Sequence, residues 1–310
     1  MVDLQALIDD LHVRYQPLNA GTVATYIPEL AKANLNWFGI AIVTADGTVY
    51  HAGDSEKTFT IQSVSKPFTY GIALEDCGRE QVLEKVAVEP VGKTFNAIVL
   101  DESTGRPPNP MINAGAIAIG DLIKGETLTN KLTRLLAKFK QFAGREVHMD
   151  APVFTSERLT SHRNRAITNL LYASGTVTGE IEEVLDFYIQ QCSLSINAVD
   201  LATMAGTLAN QGVNPITGER ALEKTYVRDV LSVMYSCGMY DSSGEWAYRV
   251  GIPAKSGVSG GLIGIVPQRM GIAVFSPPLD ERGHSVRGLK VFEELSKALC
   301  LHVFDWSQPD

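Results

Sequence analysis

The chain has 310 residues, with 27 Lys and Arg against 35 Asp and Glu, a formal net charge of −8. That length holds one large domain or two ordinary ones, and 45 % apolar with 20 % charged residues is the composition of a globular chain rather than a disordered one. The acidic balance argues against a general nucleic-acid binder. The scattered Cys77, Cys192, Cys237 and Cys300 give neither zinc spacing nor a disulfide framework, so neither a metal nor a cofactor is expected. No apolar run approaches the roughly 20 residues of a membrane span, and the start, Met-Val-Asp-Leu-Gln-Ala-Leu-Ile-Asp-Asp, lacks the basic and apolar regions of a secretory signal. The expected location is the cytoplasm.

Residues 3–12 carry apolar positions at helical spacing. A hairpin follows, with Phe38–Val43 apolar, Asp46-Gly47 as the turn and Val49–His51 returning. Phe59–Ile61 reads as a third short strand. From Ser63 the pattern becomes helical, and Val64–Asp76 is expected to be a helix ending near Gly78, with Pro67 tolerated in its first turn. The Pro- and Gly-rich stretch 87–112 reads as an irregular connection. Helices are expected near 113–123, 127–142, 164–173, 179–191, 198–210 and 222–236. After Gly244 the short apolar runs Ile252–Val258, Gly261–Val266 and Gly271–Phe275 read as strands, and Ser285–Leu301 as a closing amphipathic helix.

Strands at both ends with helices between them predict an α+β architecture. One antiparallel sheet with flanking helices is built from residues 1–62 and 245–310, and a mainly helical lobe from 63–244 is inserted into it.

Most chemical motifs in the chain have a bland reading that wins. Gly92-Lys93-Thr94 resembles the end of a phosphate-binding loop, but Ala87 stands where the earlier glycine is required. Gly257-Val258-Ser259-Gly260-Gly261 matches G-x-S-x-G, yet a strand rather than a helix is expected after it. The six histidines have no metal-ligand spacing.

Ser63-Val64-Ser65-Lys66 is different because of its place at a strand-to-helix junction. Ser63 and Lys66 share a helical face, and a lysine in a poorly solvated site can take a hydroxyl proton. Lys255-Ser256-Gly257 lies far downstream on an expected strand. S-x-x-K at a helix start with K-[ST]-G on a strand is the two-part signature of serine β-lactamases and penicillin-binding proteins. In that geometry the strand edge supplies a backbone N–H that completes an oxyanion hole with the serine's own. Their third element, Ser-Asp-Asn, is missing, and Tyr240 in Gly238-Met239-Tyr240 is a phenol able to take its place as a proton shuttle.

Tyr26-Ile27-Pro28, Gln62-Ser63-Val64-Ser65-Lys66, Pro110-Met111-Ile112-Asn113-Ala114-Gly115-Ala116, Ser156-Glu157, Asn164-Arg165-Ala166, Tyr188 ahead of Cys192-Ser193, Gly238-Met239-Tyr240 and Ala254-Lys255-Ser256-Gly257-Val258 occur in the order found in serine-dependent glutaminases. The resemblance runs from about Tyr26 to the last helix and is to the compact bacterial type. It departs at Ser259, where a third glycine is usual, and at Val91, where a serine is common.

The resemblance implies a β-lactamase/transpeptidase-like fold forming one catalytic domain, and hydrolysis of L-glutamine to L-glutamate and ammonia without a metal or cofactor. It implies Ser63 as nucleophile, Lys66 as general base, Tyr240 as proton shuttle and the amides of Ser63 and Val258 as oxyanion hole. Tyr26, Gln62, Asn113, Glu157, Asn164 and Tyr188 would bind the substrate, with Glu157 on its ammonium. Lys255 would either add positive charge near the site or serve structure. Family members imply a homodimer or homotetramer.

Overall fold

The computed structural model describes residues 2–92 and 97–305. Lys93 and Thr94 of the apparent phosphate-loop match therefore lie outside the described residues. Eight strands are described: β1 (Gly39–Thr44), β2 (Val49–Gly53), β3 (Phe59–Thr60), β4 (His148–Met149), β5 (Leu194–Ile196), β6 (Ala254–Ser256), β7 (Gly261–Val266) and β8 (Met270–Phe275). The helices are α1 (Leu4–Tyr15), α2 (Lys66–Lys85), α3 (Asn113–Asp121), α4 (Leu128–Ala143), α5 (Ala151–Thr160), α6 (His162–Ala173), α7 (Ile181–Cys192), α8 (Ala198–Ala209), α9 (Lys224–Cys237), α10 (Ser243–Arg249) and α11 (Val286–Leu299).

The main sheet has the order β2-β1-β8-β7-β6, and every neighbouring pair is antiparallel. Both chain ends supply it, as the two groups of apolar runs predict. Side chains alternate between its faces. Ile40, Ile42, Leu262, Ile272 and Val274 join the core under α1 and α11, whereas Ala41, Val43, Ile263, Ala273 and Phe275 join the core under α8 and the other helices. A strand covered on both faces has no polar side, which is why β1, β7 and β8 read as continuous apolar runs. Helix α8 lies very close to the sheet: a Cβ on Gly271 would sit 2.0 Å from the Gly206 amide nitrogen.

Several elements differ from expectation. Phe59–Thr60 leaves the main sheet and joins a second one of order β3-β5-β4. Its strands are two or three residues long, too short for an alternation to register. The last lobe's first strand is only Ala254–Ser256, because Pro253 cannot donate to a ladder. Helix α2 starts at Lys66 after a 3-10 turn, Gln62–Ser65, and continues to Lys85 past a break at Gly78, where φ is +80°. The expected helix end near Gly78 is met by that non-helical break, and a second helical stretch follows to Lys85. Helices α5 and α10 were not anticipated, although Asp150 caps α5 by accepting from the Val153 amide and Pro152 sits in its first turn, a regular start signal.

Candidate active site

Ser63 lies in the 3-10 turn that leads from β3 into α2. The preceding Gln62 has φ +49°, a left-handed conformation unusual for a residue with a side chain. This turn packs against the end of β6, close enough that a Cβ on Gly257 would lie 3.1 Å from the Ile61 carbonyl oxygen and 3.4 Å from the Val64 amide nitrogen. A side chain there would push the two backbones apart by a few tenths of an ångström.

Lys66 is buried at the start of α2. Its Nζ donates to Asn113 Oδ1 at 2.7 Å, and Asn113 Nδ2 donates to Asn164 Oδ1 at 2.9 Å. The chain of bonds joins the starts of α2, α3 and α6. Burial lowers the Lys66 pKa to about 8, against the opposing pull of Cys192 and Glu157. Glu157, buried in α5, is pushed up to about 7 by burial, opposed by a hydrogen bond from Gln62 and by the charge of Lys66. Gln62 Nε2 donates to Glu157 Oε2 at 3.3 Å. Among the described residues neither Lys66 nor Glu157 has an ion-pair partner within 4.0 Å. Perturbed groups of this kind cluster at functional sites.

Tyr240 stands in a 3-10 turn between α9 and α10 with φ +54°. Its Oη donates to the Ser256 carbonyl oxygen at 3.0 Å, and the Ser63 side chain is a further hydrogen-bond partner of the phenol. Burial raises its pKa, so it remains a neutral phenol.

A small pocket of about 80 Å³ opens on Ser63. Tyr26, Gln62, Asn113, Glu157, Asn164 and Tyr188 line it, so these sequence-derived candidates converge from separate elements. Tyr26 is half exposed at its mouth, and Tyr188 is buried. Tyr240 and Val258 do not line it: Tyr240 meets Ser63 through its phenol, and Val258 lines a separate pocket with Thr60, Val153 and Phe275. The pocket adds Ile27, Thr160, Ser161 and Arg163, which sequence reading missed. The last three bridge α5 and α6, and only a reading of α5 as a helix would have brought them beside Glu157. Lys255 is fully buried and lies away from the pocket.

The G-x-S-x-G match resolves as a turn from β6 into β7, with Gly260 at φ +98°. No helix follows it, so the geometry of a nucleophile elbow is absent. Asp280 and His284 sit on one loop, where Asp280 Oδ1 accepts from the His284 backbone amide. Among the described residues no group of His, Cys, Asp and Glu could hold a metal ion, and no helix is long and apolar enough to cross a membrane.

The glutaminase family model matches residues 21–304. The chain belongs to the glutaminase family. A glutaminase of Nostoc sp. is 60 % identical over 302 residues, covering 97 % of this chain and 90 % of that protein. One of Escherichia coli O81 is 45 % identical, covering 97 % of each. The solved structure of a probable glutaminase from Bacillus subtilis, complexed with 6-diazo-5-oxo-L-norleucine, superposes with a TM-score of 0.90 at 35 % identity, covering 98 % of each chain. This glutaminase is accordingly an amidohydrolase that releases ammonia from glutamine, and it has the β-lactamase-like α+β fold of its relatives.

Proposed function

We propose that glutamine is hydrolysed through a γ-glutamyl ester on Ser63. Lys66 in its neutral form takes the Ser63 proton as Oγ attacks the side-chain carboxamide. The amides of Ser63 and Val258 hold the developing oxyanion. The phenol of Tyr240 relays a proton to the departing nitrogen as the C–N bond breaks, releasing ammonia. Water then cleaves the ester by the reverse proton path, giving glutamate and free Ser63.

The observation that carries this reading is the meeting of Ser63, Lys66 and Tyr240 in one buried seam. Lys66 is held by a neutral acceptor, Asn113, rather than by a carboxylate, and burial outweighs the more distant Glu157 in favouring its loss of a proton. Glu157 provides the charge for the substrate ammonium. Asn113, Asn164, Tyr26 and Tyr188, which line the same pocket, orient the amide and the α-carboxylate in this reading.

Ammonia release by Ser63→Ala tests the reading. The variant should fold and lose at least about a thousandfold in kcat; near-wild-type turnover would remove Ser63 from the mechanism. A homodimer or homotetramer in the cytoplasm remains the expected setting, and sedimentation at working concentration checks the assembly.

A further inference from the structure

Lys255 is a buried cation that the mechanism leaves unused. Lys255 on β6 has no measurable exposure. Burying an ammonium is costly unless it is paired, yet among the described residues Lys255 has no carboxylate within 4.0 Å. It does not face the substrate pocket. What it does touch is Tyr240: its Nζ lies 3.8 Å from the centre of the phenol ring. The same Nζ donates to the Ser256 carbonyl oxygen at 2.8 Å, and that oxygen also accepts the Tyr240 hydroxyl at 3.0 Å.

We propose that Lys255 is a positioning residue for Tyr240, holding the phenol against Ser63 from outside the substrate pocket. The Ser256 carbonyl has two lone pairs; one takes the phenol and the other the lysine. In the resting enzyme Oη gives its proton to that carbonyl and presents a lone pair toward Ser63; in the relay the hydroxyl turns toward the departing nitrogen. The lysine packs against the ring face, a contact that is attractive for N–H donors and cations alike. Tyr240 needs such a hold, because its backbone sits in a left-handed conformation that surrounding contacts must impose. The backbone turn, the shared carbonyl, the lysine near the ring and the His284 ring stacked at 5.7 Å are among the contacts that fix the phenol. Neither Lys255 contact requires a charge. This differs from the expectation of a positive charge beside the substrate, and it rests on the reading of Tyr240 as the proton relay.

The test measures kcat and KM for glutamine in Lys255→Met, Tyr240→Phe and the double variant. Methionine fills the site without a donor. Lys255→Met should lose about a hundredfold in kcat, the range of a misplaced proton-transfer group, with KM changed less than about threefold. The double variant should be no slower than Tyr240→Phe, because both changes remove one function. Lys255→Gln, which keeps an N–H donor, should recover part of the rate, and it serves the same comparison should the Met variant not fold. Wild-type kcat in Lys255→Met, or losses that multiply in the double variant, would overturn the assignment. A Tyr240→Phe enzyme at the wild-type rate would instead remove the relay reading on which it rests.

Discussion

Two regions of this glutaminase treat buried charge in opposite ways. In the helical part, Asp200 starts α8, accepts the Asn197 amide at 2.8 Å and meets Arg145 Nε at 2.6 Å. Asp76 is likewise held by Arg134 and caps the Lys124 amide at 3.0 Å. Their carboxylates are desolvated but paired. In the seam between sheet and helices, Lys66, Lys255 and Glu157 are just as buried, and the groups they hydrogen-bond, Asn113, the Ser256 carbonyl and Gln62, are neutral. The first arrangement stabilises; the second sacrifices stability for groups able to change protonation state.

Substitutions break the comparison in opposite directions. Asp200→Ala removes the carboxylate that Arg145 meets and half of a capping box, and should cost about 2 kcal/mol. Urea unfolding measures it, while kcat at temperatures where the variant is folded should be unchanged. Lys66→Met should abolish turnover yet raise stability. Moving a lysine pKa from 10.5 to about 8 disfavours the folded state by about 3 kcal/mol while both states are protonated. Loss of the bond to Asn113 offsets about 1 kcal/mol of the gain, leaving about 2 kcal/mol. The sign fixes a window. The penalty is full below pH 8, shrinks as pH rises and is gone above 10.5. The melting temperature of Lys66→Met should therefore exceed that of the wild type at pH 7, and the gap should close as pH rises toward 10. A gap independent of pH would mean that Lys66 is not the destabilising charge.

Much of this contrast was legible before the fold. Ser63 and Lys66 are three residues apart, so one helical turn joins them. Lys255-Ser256-Gly257 needs only a strand with a glycine where it meets a backbone. The apolar runs of β1, β7 and β8 at the two chain ends announced one antiparallel sheet. What escaped depends on distant packing. β4 and β5 are too short to show alternation, and the partners of Glu157 on the α5–α6 corner come together only in three dimensions. The spacing put Lys255 on the right strand, but which face of Tyr240 it meets is set by the turn at 240–242, whose left-handed backbone has no glycine to mark it.

The smallest effect concerns pH. Glu157, raised to about 7 by burial, must be ionised to hold the substrate ammonium, and Lys66 must be neutral to act as base. Both need to lose a proton. Log kcat/KM should therefore rise with pH, with a slope above one below about pH 7 and near one between about 7 and 8. Glu157→Gln should raise KM and leave only the limb near 8. A single limb near 7 in the wild type would exclude Lys66 as the base.

The most direct test of the account is the covalent intermediate. Enzyme mixed with glutamine and quenched in acid within one turnover should yield a peptide carrying Ser63 with a γ-glutamyl ester, seen by mass spectrometry. Ser63→Ala should yield none. An ester on another residue, or burst-free turnover with no adduct at any quench time, would contradict the assignment of Ser63 as the nucleophile.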